Sequence, residues 1–204
     1  MKLKDIKPYE WAIGIGIAVI GYFVVKNLSK ASGLTTEING VRLDENDVKP
    51  VADSNSEQMI KALHPRFQNL ARAFVNRAKS KLGLNVFLTS GYRSFEKQQQ
   101  LYNENHQNAK PGYSSHNYGF AIDVNVKDKN GNIILRKNTS DDKWQKSGIL
   151  DLAKELGLKW GGGGTFGSYN DRVHFFITPN GKSTTDLLAL HNDGKVDSKG
   201  YVNV

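Results

Sequence analysis

Two short segments, far apart in the chain, carry between them the donor set of a metal centre, and any fold has to bring them together. The first is Ser115-His116-Asn117-Tyr118-Gly119-Phe120-Ala121-Ile122-Asp123 and the second is Asp171-Arg172-Val173-His174. They supply two imidazoles and a carboxylate, the ligand set of a catalytic zinc site, plus one more carboxylate, Asp171, beside the last ligand. Three protein ligands leave a fourth position open for water, as hydrolysis requires. The pattern points to a metallopeptidase.

The chain has 204 residues and no cysteine. Disulfides and thiolate metal sites are therefore excluded, and any zinc must be held by His and carboxylate. The net charge of +8 favours anionic surroundings such as lipid headgroups or cell-wall polymers, or simply marks a solvated Lys-rich surface. No nucleic-acid-binding motif accompanies the charge, so nucleic acid is not an expected partner.

Trp11 to Val25 is uncharged, with Lys2, Lys4 and Lys7 before it and Lys26 and Lys30 after it. Counted from Pro8 to Val25, the run makes a helix about 27 Å long, against a hydrocarbon core of roughly 30 Å. Tyr9, Trp11 and Tyr22 suit the interfaces, and Lys7 and Lys26 can snorkel. The expectation is an N-terminal transmembrane helix in contact with membrane lipid over residues 8–25. Gly14, Ala18 and Gly21 form a small-residue stripe that would permit self-association. The rival is a cleaved signal peptide ending near Ser29 and Ala31, against which Lys26 and Lys30 argue. A buried soluble helix is the remaining alternative.

Residues 27–55 are polar without a sustained period and read as a linker, with a small hairpin turn at Ile38-Asn39-Gly40-Val41. Phe67, Leu70, Ala71, Phe74, Val75, Ala78 and Leu82 recur at helical spacing, and Gly83 stands where a C-terminal cap belongs. Val86 to Leu88 reads as a strand leading to Thr89-Ser90-Gly91-Tyr92-Arg93, and Ser94 caps a helix through Gln98 to about Tyr102. Phe120 to Val126 alternates, with Ile122, Val124 and Val126 on one face and Asp123 on the other. Asn130-Gly131 turns to a strand at Ile133-Ile134-Leu135. Ile149 to Leu156 is a second amphipathic helix ended by Gly157, Gly161 to Gly164 a flexible loop, and Val173 to Thr178 the last core strand. An apolar patch, Leu187 to Leu190, precedes a polar tail. Helices and hairpins mixed without a βαβ repeat indicate an α+β fold.

On that layout His116 precedes Gly119, where the chain can turn sharply enough to bring it to Asp123. Asp171 cannot share a strand face with His174 at an offset of three, so it belongs in the loop before the strand, bending toward the metal water. There it serves as general base, and Arg93 is the best candidate to bind a substrate carboxylate or an oxyanion. His64, His106 and His191 read as surface residues.

The Ser115–Asp123 segment resembles the S-x-H-x6-D motif of the zinc D-alanyl-D-alanine carboxypeptidase and L-alanyl-D-glutamate peptidase family. Asp171 to His174 resembles its closing D/E-x-x-H. Ser90-Gly91-Tyr92-Arg93-Ser94 with Gln98 is similar to its arginine-bearing segment, and Trp160-Gly161-Gly162 to its W-G-G. The resemblance spans residues 60 to 178. It implies the hedgehog/DD-peptidase fold, a small antiparallel sheet flanked by helices. It also implies one Zn2+ held by His116, Asp123 and His174, Asp171 as base, Arg93 as the substrate arginine, and peptidoglycan stem peptide as substrate. The H-N-Y-G core and an Asp base look most like the phage endolysin branch that cuts L-Ala–D-Glu. Three departures stand out: Gly163-Gly164-Thr165 lacks an acidic–aromatic pair, Val173 replaces a frequent Pro, and Phe176 replaces a polar residue.

The expected organisation is an anchor or signal over 1–30, a polar linker over 31–55, a zinc peptidase domain over 56–180 and a C-terminal extension over 181–204. The peptidase domain is expected outside the cytoplasm, at a bacterial envelope or in the membrane of a lipid-containing virion. D-alanyl-D-alanine carboxypeptidase activity is the alternative within the class. A non-catalytic, zinc-stabilised wall-binding or virion structural module is the alternative outside it.

Overall fold

A computed structural model describes residues 36–38 and 40–204. The expected anchor over 8–25, with its Gly14, Ala18 and Gly21 stripe, lies outside the described residues. Among the described residues no helix is long and apolar enough to cross a membrane.

In chain order, β1 is Thr36–Ile38, β2 Val41–Leu43, α1 Glu45–Val48, α2 Ser54–Lys61, α3 Pro65–Leu82 and β3 Asn85–Ser90. Then come α4 Phe95–Glu104, a 3-10 turn at Ser115–Tyr118, β4 Ala121–Lys127, β5 Ile133–Leu135, α5 Asp141–Lys146 and α6 Ile149–Glu155. β6 Lys159–Trp160, β7 His174–Phe176, a 3-10 turn at Pro179–Gly181 and α7 Thr184–Asn192 complete the chain. The mixture is α+β, as the sequence indicates.

The central helix is α3. Pro65 starts it where a missing N–H costs nothing, and Gly83 ends it in the left-handed conformation. Its apolar stripe, Phe67, Leu70, Ala71, Phe74, Val75 and Ala78, is buried; each large side chain there contributes roughly 1.5–3 kcal/mol. The stripe faces an antiparallel sheet ordered β3-β4-β7-β6, with β5 also pairing to β4. Strand β4 runs through the middle: Ile122, Val124 and Val126 are fully buried toward the helix layer, and Asp123 points to the other face. Phe74 meets Phe175 of β7 with ring centres 4.9 Å apart, tying helix to sheet. The sheet thus has a core face and a chemical face, and Asp123 and His174 are on the latter.

Three expectations are corrected. Residues 41–55 are not a loose linker. Leu43 and Val51 are buried, and α1 is clamped to α3 by Arg77, whose guanidinium donates to both Asp47 carboxylate oxygens at 2.8 and 2.6 Å. The sequence shows no period there because much of the docking is ionic. His64 is not a surface residue. It is buried, with its ring stacked 4.3 Å from Phe120. Its Nδ1 accepts from the Arg66 N–H and its Nε2–H donates to the Val202 carbonyl. His106 and His191 are exposed, as expected. The glycine run after Trp160 is pinned by hydrogen bonds and close packing, described below. Residues 181–204 pack on the rest of the structure, with Leu187 of α7 and Val202 buried. α5 was not foreseen; it carries fully buried Trp144 in a helix too short to show a period.

Candidate metal centre and catalytic cleft

Asp123 and His174 are direct cross-strand partners on β4 and β7, so their side chains emerge side by side. His116 reaches them from the 3-10 turn. Gly119 makes that possible: its φ is +71°, and a Cβ would lie 2.4 Å from the His64 nitrogen. The glycine both reverses the chain and lets the residue capping α3 approach, with the His64 N–H donating to the Gly119 carbonyl. The other residues of the motif hold the turn. Asn117 accepts from the Gly112 N–H and donates to the Arg93 carbonyl, and the Tyr118 hydroxyl donates to the Gly112 carbonyl.

The three donor atoms converge. His116 Nε2 is 3.2 Å from Asp123 Oδ1, His174 Nδ1 is 3.0 Å from the same oxygen, and the two nitrogens are 3.1 Å apart. Zinc bonds of 2.0–2.1 Å in tetrahedral geometry place neighbouring donors about 3.3 Å apart, so this triangle is of the right size. Its chemistry also calls for a cation. His116 Nδ1 is 2.6 Å from the Gly91 carbonyl, which can only accept. The proton is therefore on Nδ1, and in the neutral ring Nε2 presents a lone pair to the carboxylate and to the other imidazole. His174 Nε2 lies 3.3 Å from the Ser115 hydroxyl, which can orient that ring in the same way. His116, Asp123 and His174 thus form a group that could hold a metal ion. The Gly91 carbonyl and the Ser115 hydroxyl were not singled out as supporting groups. A carbonyl leaves no mark in a sequence, but the Ser of S-x-H could have been read.

Burial opposes ionisation of Asp123 and is the largest influence on it. Positive charge and hydrogen bonds contributed at the two imidazoles, His116 first, outweigh it and hold the carboxyl below its usual range; a bound cation would supply that charge with both rings neutral. Burial keeps His174 neutral by lowering its pKa, against the pull of Asp123. Both directions suit metal ligands, which bind deprotonated.

Asp171 is in the loop before β7, as expected from the strand geometry. Its N–H donates to the Gly161 carbonyl, and its carbonyl accepts from the His174 N–H. The W-G-G segment accounts for this turn. A Cβ on Gly161 would meet the Asp171 carbonyl at 2.7 Å and His174 Cβ at 3.0 Å, so only glycine admits the approach. The Trp160 ring folds over Gly162, where a Cβ would lie 2.1 Å from it, and the Trp160 indole N–H donates to the Arg172 carbonyl at 2.6 Å. Arg172 in turn pairs with Asp141 at the start of α5. Burial first, and then the Asp123 carboxylate, raise the pKa of Asp171 above the ordinary carboxylate value.

Arg93 is less free than expected. It donates to Gln98 at 2.9 Å and Ser90 at 3.1 Å, and lies 3.5 Å from Asp123 Oδ2. Ser90 is aimed there by a break in register between Leu88 and Ser90 on β3. Phe166, from the glycine-rich loop, packs edge-on to His174 and stacks on Phe176, both with ring centres 5.7 Å apart. Phe176 is one of the three departures from the family pattern, and Phe166 directly follows another, Gly163-Gly164-Thr165. A cleft of about 950 Å³ exposes Arg93, His116, Asp123, Asp171 and His174 together, which is ample for a peptide segment.

The chain is similar to known peptidoglycan peptidases. The chain is 34% identical over 128 residues to the peptidoglycan L-alanyl-D-glutamate endopeptidase CwlK of Bacillus subtilis (strain 168), an alignment covering 58% of this chain and 75% of that protein. Among solved structures, the Serratia marcescens L-Ala D-Glu endopeptidase ChiX matches at TM-score 0.47 and 21% identity, over 68% of this chain and 98% of its own. A vancomycin-resistance D,D-pentapeptidase VanY in complex with Zn(II) matches at TM-score 0.42 and 18% identity, over 78% of this chain and 85% of its own. Residues 60–161 match the family described as VanY: D-alanyl-D-alanine carboxypeptidase. By that match and by the CwlK relationship, the chain whose fold brings His116, Asp123 and His174 together belongs to the VanY D-alanyl-D-alanine carboxypeptidase family.

Proposed function

We propose that this protein is a zinc metallopeptidase that hydrolyses peptidoglycan stem peptide between L-Ala and D-Glu. The observation that carries the reading is the triangle of three donor atoms able to hold a metal, 3.0–3.2 Å apart, opening on a cleft that also presents Asp171. The choice of bond rests on the CwlK relationship and on Asp, rather than Glu, at the base position.

His116, Asp123 and His174 would hold the ion. When bound, it supplies the positive charge that makes an attacking water acidic near neutral pH and polarises the scissile carbonyl. Asp171 takes the proton from that water and returns it to the leaving amine nitrogen; a carboxylate with raised proton affinity suits the task. Arg93, braced by Gln98 and Ser90, keeps positive charge beside Asp123 and the reacting centre. Residues 8–25 tether the enzyme to a membrane, with the peptidase domain outside the cytoplasm or on a lipid-containing virion.

Replacement of Asp171 separates chemistry from metal binding. Asp171→Ala is expected to keep its zinc, measured by atomic absorption, while kcat/KM on a stem peptide falls by about 10²–10⁴. Wild-type turnover by the variant would rule out its role. The VanY family description favours one second reading, removal of a terminal D-Ala. Release of free alanine instead of a fragment beginning with D-Glu would establish it.

A further inference from the structure

Among the described residues, the cleft is lined by three long cationic side chains, Arg93, Lys137 and Lys182. Arg93 is engaged: it is hydrogen-bonded to Gln98 and Ser90 and drawn to Asp123. Neither Lys182 nor Lys137 makes an ion pair among the described residues. The charge of Lys182 acts on Asp186, which hydrogen bonds with Ser183 chiefly hold ionised; of these two lysines, the one whose charge acts on a residue of the site is Lys137. Its ammonium stands 5.9 Å from the centre of the Tyr169 ring, and its charge is felt by Asp171. It is presented on a formed turn just beyond β5, where the Arg136 N–H donates to the Thr139 hydroxyl at 3.0 Å and the Thr139 N–H donates to the Arg136 carbonyl at 2.8 Å.

The substrate chemistry says what such a cation would meet. Asp171 delivers its proton to the leaving amine, so the residue that owns that nitrogen lies beside Asp171 when the bond breaks. In the proposed reaction that residue is D-Glu. Glutamate has two carboxyl groups and only one can continue the peptide, so the other remains a free carboxylate close to the scissile nitrogen. We propose that Lys137 is a specificity-determining residue, whose ammonium receives the free carboxylate of the D-Glu that follows the scissile bond while the Tyr169 ring positions it. This deepens the peptidase reading above and rests on it.

The test uses the full chain loaded with zinc and two synthetic peptides, L-Ala–D-Glu–L-Lys–D-Ala and its counterpart with the free D-Glu carboxyl amidated. The wild type is expected to favour the acid over the amide by about tenfold or more in kcat/KM, the worth of one charge-assisted contact. Lys137→Met is expected to bring the two substrates within about twofold of each other, mainly by raising KM for the acid, with zinc content and amide cleavage unchanged. Lys137→Arg should keep most of the preference, and Lys182→Met all of it. Equal cleavage of both peptides by the wild type, or an undiminished acid preference in Lys137→Met, would overturn the assignment while leaving the peptidase reading intact. Cleavage of neither peptide by the wild type would instead reject the choice of bond, and the assignment with it.

Discussion

Gly119 and His64 join the candidate site to the core through single atoms. Gly119 has φ +71°, and the His64 nitrogen fills the space a side chain would need. Gly119→Ala should therefore be destabilised by at least about 2 kcal/mol in urea unfolding, since a strained backbone and a clash act together. An unchanged midpoint would contradict the packing. His64 is held neutral chiefly by burial, which lowers its pKa, with the Val202 hydrogen bond opposing in part. The unfolded chain, with His near 6.5, then binds the extra proton first. The His64 contribution to stability is present above about pH 6.5 and is lost as pH falls from there through the lower folded value. His64→Asn, which keeps a capping acceptor without a titrating ring, should flatten stability between pH 7 and pH 5 relative to wild type. Taking the difference between the two proteins removes the other titrating groups, His174 included. At this scale the sequence was legible where a motif fixed the residue types, as in His116-Asn117-Tyr118-Gly119. It failed at His64 because the partners that bury it, Phe120 and Val202, are remote in the chain.

At the scale of elements, what could be read was whatever buries an apolar face. The 3.6-residue stripe of α3 and the alternation in β4 are consequences of burial on one side. The alternation also located Asp123 on the chemical face, where it pairs with His174 across β4 and β7. The segment 41–55 escaped because α1 is a single turn whose contact with α3 is largely polar: the Arg77–Asp47 pair, and the Asn76 amide donating to the Asn46, Asp47 and Lys49 carbonyls. That pair is nearly enclosed, so removing one partner leaves the other charge unsolvated. Arg77→Ala should cost about 3 kcal/mol in urea unfolding. Removing both charges, in Arg77→Met with Asp47→Leu, should cost less than the single change. A single variant within a few tenths of a kcal/mol of wild type would show that α1 docks by other means. The glycine run Gly161 to Gly164 suggests a flexible loop. In the structure Gly161 and Gly162 are demanded by close contacts with Asp171, His174 and Trp160, so glycine there reflects crowding rather than freedom.

In the whole molecule, the 3-10 turn, β4, β7 and the loop before β7 each bring one group to a common point, and α3 backs them all. A metal ion bound there links elements that are distant in sequence, so it should stabilise the fold as well as activate water. Chelation is expected to lower the melting temperature of the wild type and to leave that of His116→Ala unmoved. The central claim is that this centre cuts between L-Ala and D-Glu, and mass spectrometry of the fragments from purified peptidoglycan tests it most directly. With zinc, the full chain should release fragments with a new N-terminal D-Glu; chelator should abolish them and added zinc should restore them. Release of terminal D-Ala alone, or D-Glu fragments formed equally well in chelator, would contradict the account.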